Sequence, residues 1–407
     1  MDDKKLKNFL LEIPKCDLHV HLDGSLRVKT LIELAKADNI KLPSYTEDGL
    51  YKTVFKDQYK DLMDYLQGFG YSIAVMQKPE NLERIAYEFA WDNINEGVCY
   101  VEVRFAPQFH INKSMNIEKV FESVSKGMDR AKKEYNSTPD VKTKKKPPFE
   151  YGIIVCAMRA VPKGVGEYFD KFYEVHPYSS DLKIGSLASY ELVLAMVKAR
   201  DKGYQIVGFD LAGAEAGYPA SEHAESYALA HRNFFKKTVH AGEAYGAESI
   251  FQAITDLYAD RIGHGYYLFS EDMVKSKPVK ERKDFINRLV QYIADRRITI
   301  EVCLTSNMQT NPEIKALSEH SFMEMLKNKL SVALCTDNRT VSKTTVANEL
   351  ELAVKHFGLT GRQLKNCVIY GLKRSFYPGT YKDKRDYVRG VIDCYEAVEK
   401  KYPGLLK

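Results

Sequence analysis

Eight short apolar runs, separated by longer stretches of helical periodicity, set the pattern of this chain. The runs lie at 16–22 (CDLHVHL), 98–105 (VCYVEVRF), 151–158 (YGIIVCAM), 206–213 (IVGFDLAG), 237–243 (KTVHAGE), 261–265 (RIGHG), 299–307 (TIEVCLTSN) and 331–337 (SVALCTD). Most are apolar at consecutive positions rather than alternate ones, as expected of strands buried on both faces of a parallel sheet. Between them, SYELVLAMVKARDK (189–202), ESIFQAITDLYA (248–259) and KDFINRLVQYIADRR (283–297) repeat apolar residues at i, i+3 and i+4, the mark of amphipathic helices. Eight strands alternating with helices predict one α/β domain over 1–407, a (β/α)8 TIM barrel with insertions, in preference to an open sheet. In such a barrel chemistry sits at the C-terminal ends of the strands. His19, His21, His240, His264 and Asp337 all fall at or near those ends.

Two segments interrupt the alternation. Residues 40–80, after the first strand, are long and rich in Tyr, Leu and Phe, and read as a helical lid insertion. Within it Leu62, Tyr65, Leu66 and Phe69 share one helix face by their i, i+3, i+4, i+7 spacing; they either cover a ligand or form plain helix core. Residues 136–148 (NSTPDVKTKKKPP) form a basic, proline-bounded stretch. It reads as a solvated surface loop, because no aromatic or Arg/Gly-rich partner motif supports nucleic-acid contact.

Composition narrows the classes. Sixty basic and 55 acidic side chains leave a net charge of +5, a mixed surface rather than one built for polyanions. No apolar run approaches the ~18 residues of a membrane span. The start, MDDKKLKNFLLEIPK, lacks the apolar core of a secretory signal, so a soluble, cytoplasmic protein is expected. None of the seven cysteines forms a C-x-x-C pair, and five lie in apolar runs. They read as reduced core residues rather than disulfides or a zinc ribbon.

The chemistry starts at His19 and His21. Residues i and i+2 of a strand share a face, so both imidazoles can grip one metal ion. With His240 and Asp337 they make an N3O ligand set that suits zinc with a position left for water, although iron, cobalt or nickel take such ligands too. Any one histidine is more simply a core residue; several at separate strand ends argue for one shared site. Glu243, three residues after His240, sets a carboxyl beside the metal. It can shuttle protons to a substrate ring nitrogen if burial raises its pKa, or it is simply a first-turn helix acid. His264, between glycines, can orient a hydroxide and stabilise charge on the attacked carbon's oxygen; otherwise it is a fifth ligand or a buried structural residue. Asp337 can be both ligand and base. Asp210 is a candidate partner of a ligand histidine, with a helix cap or internal salt bridge about equally favoured. The N–H of Gly213 is unobstructed by a side chain and free to donate to a ligand.

Five motifs in order, DLHVHLDGSL, LAGAE, TVHAGE, RIGHG and CTDN, span residues 17–338 and resemble those of the adenosine deaminase family. AYEFAWDNINEGVCYVEVRFAPQ (86–108) also resembles that family's second-strand region. The resemblance implies a zinc-containing barrel, one Zn2+ per chain, that hydrolyses the 6-amino group of adenosine to give inosine and ammonia. It implies that His19, His21, His240 and Asp337 bind zinc, that Glu243 protonates N1, and that His264 and Asp337 orient and deprotonate the water. Gly213 would contact N3, Asp23 the ribose 5′-hydroxyl, and Met158 the pocket wall; Leu62, Tyr65, Leu66 and Phe69 would belong to an apolar lid.

Two stretches depart from the family pattern. Where two aspartates and a proline are usual, this chain has Asp337-Asn338-Arg339; an asparagine amide donates at any pH, so Asn338 is expected to keep a donor role toward N7. Ala214 stands where LAGxE usually carries an acid, with Glu215 following. The nearest rival reading is deamination of another 6-aminopurine, such as adenine, a 5′-modified adenosine, aminofutalosine or an N6-substituted nucleotide. Asp23 argues for a neutral 5′-hydroxyl, since it would repel a 5′-phosphate. A non-catalytic adenosine-binding protein is the rival from another class, and the filled catalytic positions argue against it. The expected partner is a small purine nucleoside, with no nucleic acid and no membrane; the sequence leaves oligomeric state open.

Overall fold

The computed structural model describes residues 2–311 and 313–406. Its centre is a single eight-stranded sheet, all parallel, in sequential order: β1 (Lys15–His21), β2 (Val98–Phe105), β3 (Glu150–Met158), β4 (Ile206–Ala212), β5 (Lys236–Ala241), β6 (Arg261–His264), β7 (Thr299–Val302) and β8 (Ser331–Leu334). Just beyond β8 the chain bonds back to β1. The Asp337 N–H donates to the His19 carbonyl (2.8 Å) and the His21 N–H to the Asp337 carbonyl (2.7 Å). That bridge closes the barrel at its C-terminal rim and makes Asp337 a neighbour of both β1 histidines. The helices pack outside, and the strands are buried almost throughout, as their continuous apolar character requires.

The last two runs end earlier than their composition suggests. The strand expected over 299–307 stops at Val302, and Leu304–Thr310 is a helix. The polar sequence TSNMQT cannot extend a strand buried on both faces, and as a helix it turns Ser306 and Asn307 toward the barrel mouth. Likewise the expected 331–337 strand proper ends at Leu334.

The barrel interior is not wholly apolar. Arg104 donates to Asp210 (3.0 Å) and Glu301 (2.9 Å), Arg261 donates to Glu301 (2.6 Å) and also pairs with Glu102, and all five side chains are buried. Charges so placed tolerate burial only because each has opposite partners.

Residues 47–75 contribute three short helices, Glu47–Thr53, Leu62–Leu66 and Phe69–Val75. Gln67 and Gly68 interrupt the last two but keep right-handed helical angles, so the face carrying Tyr65 and Phe69 stays continuous. The basic stretch contains one helical turn, Pro139–Lys142, with Asn136 tied to both the N–H and the carbonyl of Phe149. All seven cysteines are free, six of them buried. Among the described residues no helix is long and apolar enough to cross a membrane.

Candidate active site

At the C-terminal rim His19, His21, His240 and Asp337 present four ligand atoms that all lie within 4.8 Å of one another. The Nε2 atoms of His19 and His21 stand 3.1 and 3.2 Å from that of His240. Asp337 Oδ1 stands 3.4 and 3.5 Å from the first two. Two of the imidazoles are held from behind: His19 Nδ1 meets Glu301 Oε2 at 2.9 Å and His240 Nδ1 meets Asp210 Oδ2 at 3.0 Å. A carboxylate on Nδ1 keeps the ring proton there and leaves the Nε2 lone pair facing inward. Local backbone makes the approach feasible. A side chain at Gly263 would meet His19 Cε1 at 2.9 Å, and Asp337 and His264 themselves adopt φ of +61° and +65°. Non-glycine residues in that region carry strain of the kind that gathers at functional sites.

Lone pairs and a carboxylate oxygen converging in a buried space require positive charge between them. His19 shows the demand: burial and Arg104 press it toward neutrality, yet the Asp337 and Glu301 carboxylates beside its two ring nitrogens outweigh them and hold its pKa above the ordinary value, whereas burial holds His21 well below its own. The donor set therefore fits a divalent cation, with three imidazole nitrogens and one carboxylate oxygen. Asp337 is buried too, but its hydrogen bond to His19 and the surrounding imidazoles hold its carboxyl well below the usual range.

Glu243 and His264 lie beside the cluster and are not part of it. Burial, reinforced by Asp337, pushes the Glu243 carboxyl up to about 8. Its Oε2 lies 3.6 Å from His264 Nε2, an atom with no hydrogen-bond partner among the described residues. Burial and the neighbouring His19 keep His264 well below its ordinary pKa, hence neutral.

The loop that carries Glu243 is held by Glu215. Its carboxylate accepts from the N–H groups of Gly242 (2.8 Å), Glu243 (3.0 Å), Ala244 (2.7 Å) and Tyr245 (3.0 Å), and from Ser249 Oγ (2.5 Å). So the acid next to Ala214 organises the loop after β5. Gly242, at φ +75°, supplies the turn.

Gly213 (φ +94°) adjoins Met158: a Cβ there would meet the methionine Cε at 3.1 Å. Asp23 is buried with Oδ1 unpartnered among the described residues, and burial pushes it up to about 7. Tyr65 is anchored to the loop after β8, its hydroxyl taking the Asn338 amide (2.7 Å) and pairing with Ser342 (2.8 Å). Phe69 places its ring edge-on to His21, 6.5 Å between centroids. Leu62 and Leu66 are half-buried and pack against the main core.

Arg339 donates its N–H to Ser25 Oγ (3.1 Å), a bond proline cannot make, and its guanidinium pairs with buried Glu96. Ser306 donates to Asp337 Oδ2 (2.6 Å), and Asn307 meets His264 Nδ1 (3.1 Å). Sequence reasoning missed Glu301, Ser306 and Asn307. Glu301 had a signal, a lone acid inside an apolar run; the other two were hidden in a stretch read as strand.

The sequence profile described as adenosine deaminase matches residues 14–169 and 181–393. The chain belongs to the adenosine deaminase family. An adenosine deaminase of Clostridium botulinum (strain 657 / Type Ba4) is 35% identical over 366 residues, 90% of this chain and 95% of that one. Among solved structures, the adenine deaminase of Arthrobacter aurescens has the same fold at a TM-score of 0.71 and 22% identity, covering 94% of this chain and 99% of its own. An amidohydrolase of Burkholderia ambifaria with bound Zn reaches 0.76 at 19% identity, covering 98% and 95%. Adenosine deaminase family membership and the barrel thus agree with the expectations drawn from the five motifs.

Proposed function

We propose that this chain hydrolyses the 6-amino group of adenosine, and of 2′-deoxyadenosine, to give the 6-oxopurine nucleoside and ammonia, in purine salvage in the cytoplasm. The observation that carries the reading is the pairing of a buried N3O cluster with a separate carboxyl, Glu243, that burial keeps protonated near neutrality. Zinc is the metal this donor set suits best, and when bound it supplies Lewis-acid activation of a water molecule.

The protein's own groups do the rest. Glu243 donates its proton to purine N1, which draws electron density from C6 and readies it for attack. Asp337, kept ionised, takes a proton from the attacking water. His264, neutral and with Nε2 unpartnered, stabilises the oxygen that becomes attached to C6. As the tetrahedral carbon collapses, the C6–N bond breaks, the amino group takes the proton held by Asp337 and leaves as ammonia, and the hydroxyl proton returns to Glu243, so that adenosine and water give inosine and ammonia. Gly213 N–H serves N3, the Asn338 amide serves N7, and Met158, Leu62, Tyr65, Leu66 and Phe69 line the apolar wall and the lid formed by residues 40–80.

Asp23 favours a nucleoside over a nucleotide or a free base. Its buried, unpartnered oxygen offers an acceptor to a 5′-hydroxyl, would repel a 5′-phosphate when the carboxyl is ionised, and would be left bare by adenine. The test is turnover of adenosine by zinc-loaded protein, followed by ultraviolet absorbance and by ammonia release. Rapid formation of inosine is expected. Failure on adenosine with turnover of adenine or a 5′-modified adenosine would overturn the substrate assignment.

A further inference from the structure

His264 faces the site with one ring nitrogen, and which proton that nitrogen carries is settled outside the site. Behind His264 run three buried groups in sequence. The Phe322 backbone N–H donates to His320 Nδ1 at 3.0 Å, His320 Nε2 meets Asn307 Oδ1 at 3.2 Å, and Asn307 Nδ2 meets His264 Nδ1 at 3.1 Å. His320, Asn307 and Phe322 are each at most 2% exposed, so no water competes for these contacts.

The chain of bonds has one consistent direction. A backbone N–H can only donate, so His320 Nδ1 must be an acceptor without a proton. His320 is then the neutral Nε2–H form, in keeping with burial that pushes its pKa down to about 3. Its Nε2–H requires a carbonyl oxygen opposite, which fixes the Asn307 amide with Oδ1 toward His320 and NH2 toward His264. The amide N–H in turn makes His264 Nδ1 an acceptor. The one remaining place for the proton of neutral His264 is Nε2, the atom that faces Glu243 and the ligand cluster.

We infer that His320 and Asn307 are positioning residues that lock His264 as an Nε2–H donor toward the oxygen added at C6. In that state His264 cannot take a proton from the water through Nε2, which leaves Asp337 as the base. The inference rests on the deaminase reading only for the identity of that oxygen; the tautomer itself is independent of substrate.

The test is nitrogen-15 spectroscopy of ring-labelled, zinc-loaded protein, with His264 assigned by its absence in His264→Gln. A protonated Nε2 and a bare Nδ1 are expected. Asn307→Asp replaces the donor with an acceptor, so His264 should change to the Nδ1–H form. With zinc content kept, kcat should fall about 10²–10³-fold, the scale of losing one donor to a developing oxyanion, while KM changes little. Should Asn307→Asp not fold, His320 carries the comparison. His320→Gln restores an amide donor to Asn307 Oδ1 and should stay within roughly threefold of wild type, whereas His320→Leu should lose both tautomer and rate.

An Nδ1–H resonance for His264 in the wild-type protein, an unchanged kcat in Asn307→Asp, or equal behaviour of the two His320 variants would overturn the inference. If wild-type protein leaves adenosine untouched, the reaction assigned above falls, while the resonances still decide the tautomer.

Discussion

Glu243 shows how much of this site is made by environment. A carboxyl in water ionises near 4.3, and here burial and Asp337 move it to about 8. The protonated form is the one that serves as acid, and it predominates below the pKa. The rate constant kcat/KM should therefore lose its acid as pH rises through that value. A bound cation favours the carboxylate, so the alkaline limb is expected at or below about pH 8 and should vanish in Glu243→Gln. That variant should keep its metal and lose about 10²–10⁴-fold in kcat. Metal analysis and a pH profile check both points; near-normal turnover in Glu243→Gln would mean the acid is misassigned. The residue types were legible in the motif HAGE, but the elevated pKa was not. It depends on Asp337, which lies 94 positions further along the chain (337 − 243).

Among elements, the segment after β1 and the loop after β8 are joined through Tyr65. Its ring is buried, and its hydroxyl sits between the Asn338 amide and Ser342. Tyr65→Phe removes both bonds without opening a cavity. One net hydrogen bond of about 1 kcal/mol corresponds to roughly a fivefold rise in KM for adenosine with kcat nearly unchanged. Steady-state kinetics at fixed zinc would show it, and a fall in kcat alone would place Tyr65 outside the lid. The apolar spacing of residues 62–69 was enough to predict the shared face. Which of those side chains meets the site was beyond it, because the contacts of Phe69 with His21 and of Tyr65 with Asn338 are made to other elements of the chain. The Leu304–Thr310 helix shows the converse: an apolar run continued by polar residues looked like one strand, and only the closure of the barrel turns that continuation into a helix supplying Ser306 and Asn307.

For the whole molecule, the same charges that support the ligands also fill the barrel. Glu301 touches His19, Arg104, Arg261 and Thr238, so it links the metal site to the core. Glu301→Gln leaves Arg104 and Arg261 short of a counter-charge, and should cost about 3–5 kcal/mol of stability together with about 10–100-fold in metal affinity. Denaturant unfolding and competition with a chelator measure the two separately. Chelation of the wild-type protein should lower its melting temperature and abolish turnover, with zinc restoring both.

The sequence alone determined the strand count, the parallel barrel and the identity of the ligand-type residues. Continuous apolar runs and polar residues at their ends are local properties, set by burial of each strand and by where each strand stops. Only the tertiary structure decided which side chains stand behind them. Glu301 behind His19, Asp210 behind His240, Glu215 beneath the Glu243 loop and the Asn307–His320 pair behind His264 are contacts between separate strands and loops. Spacing along one segment carries no trace of such contacts, because barrel closure and the stagger of its strands bring the partners together in space.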